Sequence, residues 1–202
     1  MTTKRYAIYP LSESDLPAAA AVCAQAMNDN PIHIRVFGAC PSLRQRRLRR
    51  FFAGLLAYIH SKNGLYGAFA DEALIGVLGM LPPKNCKPSA YDLWQLLPTL
   101  LTSNSPLGTC RLTVWLATWA RLDPAIPHWH LGPLAVAHLW QRQGVGTQLM
   151  EYAINKGATE CLYLETDKLS NVRFYGKFGF SILNTPSILA IPSWVMMRFV
   201  VK

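Results

Sequence analysis

Polar and apolar residues alternate from Lys4 to Tyr9, which predicts a strand ended by Pro10. Ser12-Glu13-Ser14-Asp15 has the form of a capping box, and an Ala-rich helix follows to about Met27, with Leu16, Ala20, Cys23 and Met27 on one side. Asp29-Asn30-Pro31 predicts a turn. A second helix is expected from Pro41 to His60, because Leu43, Leu48, Phe51, Phe52, Leu55 and Ile59 keep close to helical spacing before Gly64 stops it. Leu65 to Ala70 and Ala73 to Leu81 are strand-like runs joined at Asp71-Glu72, a hairpin spacing, and Pro82-Pro83 closes the second. Tyr91 to Leu101 and Thr109 to Leu122 carry helical patterns separated by Ser103-Asn104-Ser105-Pro106.

From His128 onward the pattern becomes strand (His128 to Val136), Gly-containing turn (141–146), helix (Thr147 to Lys156) and strand (Cys161 to Glu165). A short helix (Val172 to Phe178) and two more strands (Phe180 to Leu183, Trp194 to Val200) follow. This order predicts a mixed α/β fold with a central, partly antiparallel sheet. There is no internal repeat and no linker long enough to divide the chain, so one domain over 1–202 is expected.

Composition narrows the class. Hydrophobic residues are 51% of the 202, which excludes a mostly disordered chain, and the glycines and prolines show no collagen-like period. The five cysteines (Cys23, Cys40, Cys86, Cys110, Cys161) are odd in number and lack C-x-x-C spacing, so neither a disulfide framework nor a structural zinc site is expected. The N-terminus has no apolar h-region, and the uncharged stretches at 93–110 and 124–141 are broken by Pro and polar residues. A cytoplasmic protein without a membrane span is the expectation.

Gln141-Arg142-Gln143-Gly144-Val145-Gly146-Thr147 lies between a strand and a helix. Helix N-termini present N–H groups and partial positive charge, and glycines let a diphosphate approach the backbone, so this loop can cradle an anion; it can equally be a plain turn. A dinucleotide fingerprint fits poorly, because Leu149 stands where its third glycine should be. A Walker loop is excluded, since no Lys follows the glycines.

Leu134-Ala135-Val136 followed by Gln141-x-x-Gly144-x-Gly146 resembles the acetyl-CoA motif of the GCN5-related N-acetyltransferases, Gln/Arg-x-x-Gly-x-Gly/Ala. Leu164-Glu165-Thr166 and Asn171-Val172-Arg173-Phe174-Tyr175-Gly176-Lys177-Phe178-Gly179-Phe180 resemble the family's second motif, Asn-x-x-x-Tyr-x-Lys/Arg-x-Gly-Phe. The resemblance implies a largely antiparallel α/β sheet, flanked by helices and splayed between its fourth and fifth strands, with acetyl-CoA as co-substrate in the half from about 128 to 182. It implies that Leu134, Ala135 and Val136 meet the pantetheine. It also implies that Gln141, Arg142, Gln143, Gly144, Val145, Gly146 and Thr147 receive the diphosphate, and that Asn171 and Tyr175 lie near the thioester. Leu164-Glu165-Thr166, Phe174-Tyr175 and the His-Trp-His strand opening also show a shorter likeness to puromycin-type acetyltransferases.

Amide formation from a thioester needs a neutral amine, a stabilised oxyanion and a proton or charge for the leaving thiolate. The resemblance gives Tyr175 the role of proton donor. The base is less determined: Glu165 closes a strand at the splay, His130 and His128 share one face of the preceding strand, and a water chain is a further route. His-x-His suggests a metal, yet no third ligand is evident, so no metal is expected. No cysteine other than Cys161 lies in the motifs, which favours direct attack in a ternary complex over a covalent acetyl-enzyme. The acceptor is expected to be a small-molecule amine, bounded by a wall from 84–127 that contains Trp94, Trp115 and Trp119. Leu43-Arg44-Gln45-Arg46-Arg47-Leu48-Arg49-Arg50 reads as a solvated cationic helix face; the rival is a module that senses CoA or binds nucleic acid or an anionic surface. Nucleic acid is not the expected partner, and a monomer or homodimer is.

Overall fold

The computed structural model describes residues 5–200 except Lys84 and Lys87. Seven strands form one sheet: β1 (Ala7–Pro10), β2 (Leu65–Ala70), β3 (Ala73–Leu81), β4 (His128–Val136), β5 (Cys161–Thr166), β6 (Ser181–Asn184) and β9 (Trp194–Arg198). Their order is β1-β2-β3-β4-β5-β9-β6, antiparallel throughout except for the parallel pair β4–β5. A small separate hairpin joins β7 (Ser187–Ile188) to β8 (Ile191–Pro192). This is the mixed, largely antiparallel sheet expected. The first strand begins at Ala7, and Lys4, where the alternation starts, lies outside the described residues.

Helices cover both faces. On one, α1 (Leu16–Ala26), α2 (Pro31–Phe37), α3 (Pro41–Ser61) and α5 (Pro106–Leu122) close over Leu65, Phe69, Val77 and Ala135. On the other, α6 (Val145–Lys156) and α7 (Leu169–Gly176) pack on Ile75, Leu78, Met80 and Leu164. The remaining helix, α4 (Ala90–Thr102), is started by Ser89, whose hydroxyl accepts from the Asp92 amide. Asp92 also takes Lys62 Nζ at 2.9 Å, pinning α4 to the end of α3.

Several boundaries differ from the sequence reading. The turn at 29–31 is followed at once by α2, too short for a periodic signal but entered through Pro31 at its first position. α5 starts at Pro106 rather than Thr109, because Ser105 caps it and Pro needs no amide partner there. α6 starts at Val145 and α7 at Leu169, two and three residues before their expected starts. Part of the cationic helix face is not solvated. Arg44 is buried and donates to the carbonyls of Asn28, Gly38 and Ala39, and Arg47 donates to Phe37 O at 2.8 Å. These side chains satisfy the carbonyls at the end of α2. Among the described residues no helix is long and apolar enough to cross a membrane, and the five cysteines are free thiols.

Candidate active site

The pairing of β4 with β5 ends early. His128, Trp129 and His130 stand opposite Cys161, Leu162 and Tyr163; beyond that point the strands have no pairing. The divergence coincides with a register break in β3–β4 between Leu78 and Met80. There Gly132-Pro133 crosses so close to Gly79 that a methyl group on Gly79 would collide with the Gly132 carbonyl. Ala137 donates to Ile75 O on β3 at 2.8 Å. Strand alternation therefore turns the polar groups of Ala135 toward β3 and those of Leu134 and Val136 into the gap. The backbone groups of Ala135, the middle residue of the expected pantetheine segment, thus serve the β3–β4 pairing. The Val136 carbonyl accepts from Gln141 Nε2 at 3.2 Å and keeps a second lone pair.

The Gly loop enters α6 beside this gap. Arg142 and Gly144 have φ of +61° and +85°, left-handed conformations that glycine adopts without strain. The turn leaves the first amides of α6, at Val145, Gly146 and Thr147, with no carbonyl of their own helix to meet. A Cβ built on Gly144 comes no nearer to a neighbour than 4.0 Å, so the space above it is open. The side chains of Gln141 and Gln143 serve the loop itself, with Gln143 Nε2 donating to Leu139 O at 2.8 Å, and Val145 is buried. What this segment offers an anion is backbone amides and Arg142.

Period-two alternation puts His128 and His130 on one face of β4. His130 Nε2 is 2.9 Å from Glu165 Oε2, so the sequence-singled pair does meet. Asp123, the residue that ends α5, joins them: its Oδ1 lies 3.1 Å from His128 Nε2 and 3.6 Å from His130 Nδ1. Asp123 carried no motif in the sequence, and it corrects the reading that no third ligand-type group stands near the His-x-His pair. His128 Nδ1 is 2.7 Å from Ile126 O. Burial works against charge on both imidazoles. For His128 the Asp123 hydrogen bond, and for His130 the negative charge of Glu165, outweigh it and raise both from 6.5 to about 10. Burial also opposes charge on Asp123, but the two histidines hold its carboxyl far below the usual range.

Glu165 Oε1 and the Tyr163 hydroxyl are both enclosed and meet no partner in ideal geometry, yet the two side chains adjoin: burial first, then the charge and hydrogen bonding of Glu165, pushes the Tyr163 phenol up. Tyr175 is buried on α7 between Phe174 and Phe180, and burial alone raises its phenol, so it stays protonated at neutral pH. Asn171 Nδ2 donates to Thr166 Oγ1 at 3.0 Å. Asp167, which sequence reasoning passed over, accepts from the Ile32 amide at 2.7 Å and from Asn30 Nδ2 at 3.3 Å, tying α2 to the end of β5.

One cavity of about 610 Å³ connects these parts. Leu134, Asn171 and Tyr175 line it at the gap, His130 and Glu165 in the middle, and α3, α4 and α5 beyond. Of the tryptophans expected in its wall, Trp115 and Trp119 are there, whereas Trp94 is 72% exposed on the outside of α4. Cys86, another residue without a sequence signal, lines the cavity and donates to His128 O at 3.3 Å.

The profile of the Acetyltransferase (GNAT) family matches residues 31–180. Among solved structures, the chain is similar to a histone acetyltransferase HPA2 and related acetyltransferase from Corynebacterium glutamicum, with 20% identity, 98% of each chain covered and a TM-score of 0.72. It is also similar to a PaiA N-acetyltransferase from Thermoplasma acidophilum in complex with coenzyme A (16% identity, 97% of this chain and 99% of that one, TM-score 0.59). The C-terminal condensation domain of Ebony in complex with beta-alanyl-dopamine is similar too (11% identity, 97% and 99% covered, TM-score 0.68). No curated protein sequence matches the chain.

Proposed function

The chain belongs to the Acetyltransferase (GNAT) family, and from that premise we propose that it moves the acetyl group of acetyl-CoA to a primary amine of a small molecule, by direct attack in a ternary complex. The observation that carries this reading is the continuity of the cavity. Unpaired backbone at Leu134 opens into the same space as the His130–Glu165 pair. The residues suit the co-substrate. Leu134 and Val136 would pair with its amides as an added strand does, and the amides of Arg142 to Thr147 would take its diphosphate. One N-acetyltransferase domain over 1–202, with its cofactor half at about 128–182, performs the reaction.

The amine must attack as the free base. At neutral pH His130 is an imidazolium and cannot start as the base, so one oxygen of the Glu165 carboxylate, which lines the cavity beside the Tyr163 phenol, accepts from the amine. His130 holds the other carboxylate oxygen and balances its charge. As the C–N bond forms, the nitrogen's remaining proton becomes acidic and passes to Glu165. As the C–S bond breaks, Tyr175 gives its proton to the thiolate.

Asp123, His128 and His130 are ligand types that a divalent metal uses. In this reading they hold two protons instead, two imidazolium charges against Asp123 and Glu165, and dialysis against a chelator leaves turnover unchanged. The rival reading as a nucleic-acid or anionic-surface module loses support from Arg44 and Arg47, which are committed to α2. Calorimetric titration with acetyl-CoA is the test. Absence of binding at millimolar co-substrate, in folded protein, overturns the function.

A further inference from the structure

We propose that the acceptor is a monoamine with a bulky apolar body, seated between α3, α4 and α5 with its nitrogen at Glu165. This rests on the amine-acetylation reading above and adds the class of amine. The cavity falls within the range of small-molecule pockets, roughly 300–1,000 Å³. Its charged groups, Asp123, His130, Glu165 and Asp167, gather at the β4–β5 end. Away from that end the walls are mainly apolar, with Phe51 and Leu55 from α3, Leu96 and Leu100 from α4, and Leu112 and Trp119 from α5; of the hydroxyls among them, Tyr58 and Thr113 already donate to backbone carbonyls, while Thr99 and Thr109 are small. The six carbon-rich side chains named can bury hydrocarbon, and none of the groups on this far wall carries a charge to meet a second ammonium.

The charged groups on the wall argue the same way. Asp123 is engaged by His128, Asp167 by the Ile32 amide and Asn30, and one oxygen of Glu165 by His130. His33, also on the wall, is kept neutral by burial. The other oxygen of Glu165, on the cavity wall beside the Tyr163 phenol, is the one assigned to the reacting nitrogen. A second ammonium in the apolar chamber would be buried without a counter-charge, and such burial is strongly unfavourable. The chamber therefore selects against diamines and polyamines by repulsion from its dry wall, and for a single amine by hydrocarbon burial.

The experiment compares n-butylamine, n-hexylamine, n-octylamine and phenethylamine with hexamethylenediamine and spermidine. Affinity is read by calorimetry and turnover by free-thiol release. Affinity is expected to rise about threefold to fourfold per added methylene. Hexamethylenediamine should bind at least tenfold more weakly than n-hexylamine. Leu96→Asn and Leu100→Asn, at half-buried positions on α4, should each weaken n-octylamine at least fivefold and leave acetyl-CoA affinity unchanged. A flat dependence on chain length, no binding of n-octylamine at millimolar concentration, or preference for the diamine or spermidine overturns the proposal. Loss of acetyl-CoA binding with the chain-length dependence intact would instead overturn the acetyltransfer reading and leave the apolar amine site standing.

Discussion

Tyr175→Phe separates chemistry from folding because of where the hydroxyl sits. Among the described residues it makes no hydrogen bond, while its ring packs 5.3 Å from Phe174 and 5.9 Å from Phe180, measured between centroids. The variant keeps both ring contacts and breaks no bond within the protein. Its stability should stay within about 0.5 kcal/mol of the parent, which is about 1–2 °C in Tm for a chain of this size. The chemical step has no such cushion. If Tyr175 protonates the departing thiolate, losing it should slow thiol release by about 100-fold or more, equivalent to about 2.7 kcal/mol on the barrier. Acetyl-CoA affinity should change less than about twofold, because the contacts proposed for diphosphate and pantetheine lie on α6 and β4. Single-turnover thiol release, calorimetry and thermal melting together make the measurement. Full kcat in the variant refutes the role. A large fall in Tm refutes the argument that the hydroxyl has no structural partner.

Other outcomes follow from the same geometry. Gly144→Val places a β-branched residue at φ +85° in open space, so the protein should fold with about 1–2 kcal/mol less stability. Calorimetry should then show at least a tenfold loss of acetyl-CoA affinity, about 1.4 kcal/mol, and unchanged affinity would take the loop out of the site. Arg44→Ala strips donors from three carbonyls and should cost about 3 kcal/mol, visible as a Tm drop of about 6–12 °C, whereas exposed Arg46→Ala should stay within about 0.5 kcal/mol. Equal effects from the two would sink the distinction. His128 and His130 are raised from 6.5 to about 10 on folding, so their stabilisation is complete below 6.5 and disappears as pH climbs through 10. Melting temperature should therefore decline from pH 7 to 10, less steeply in His130→Gln; a rise over that window would contradict the His130–Glu165 and His128–Asp123 pairings.

Parts of this site are legible in the sequence because they depend on residue types at fixed offsets. Gly144 stands where the loop turns left-handed and Gly146 in the first turn of the helix it opens, and two-residue alternation alone places His128 beside His130. The opening of β4 from β5 came only from the family resemblance, since nothing local in Leu131 to Val136 says where parallel pairing stops. Asp123 was invisible for a different reason: it ends a helix and meets the histidines through the path of the chain at 124–127. The arginine run shows the limit of pattern most clearly. Arg44 and Arg46 are alike in sequence, yet the buried carbonyls at the end of α2 claim one and leave the other in water. Since α2 is seven residues long, its periodicity could not announce those carbonyls in advance.

The clamp of Asp167 on the Ile32 amide spans 135 residues of chain. A ribosome emits the chain from its N-terminus, at about 5–20 residues per second. The α2 wall of the chamber must therefore wait several seconds after Ile32 is made before its anchor exists. Until then α2 has its carbonyl end tied by Arg44 and Arg47 but its amide end loose. A nascent chain halted after β4 would carry a half-fastened wall with apolar surface open to neighbours. Asp167→Asn, which keeps an acceptor oxygen but removes the charge, would lengthen this vulnerable interval more than it would change the finished protein, and its mark would be a lower soluble yield during rapid synthesis.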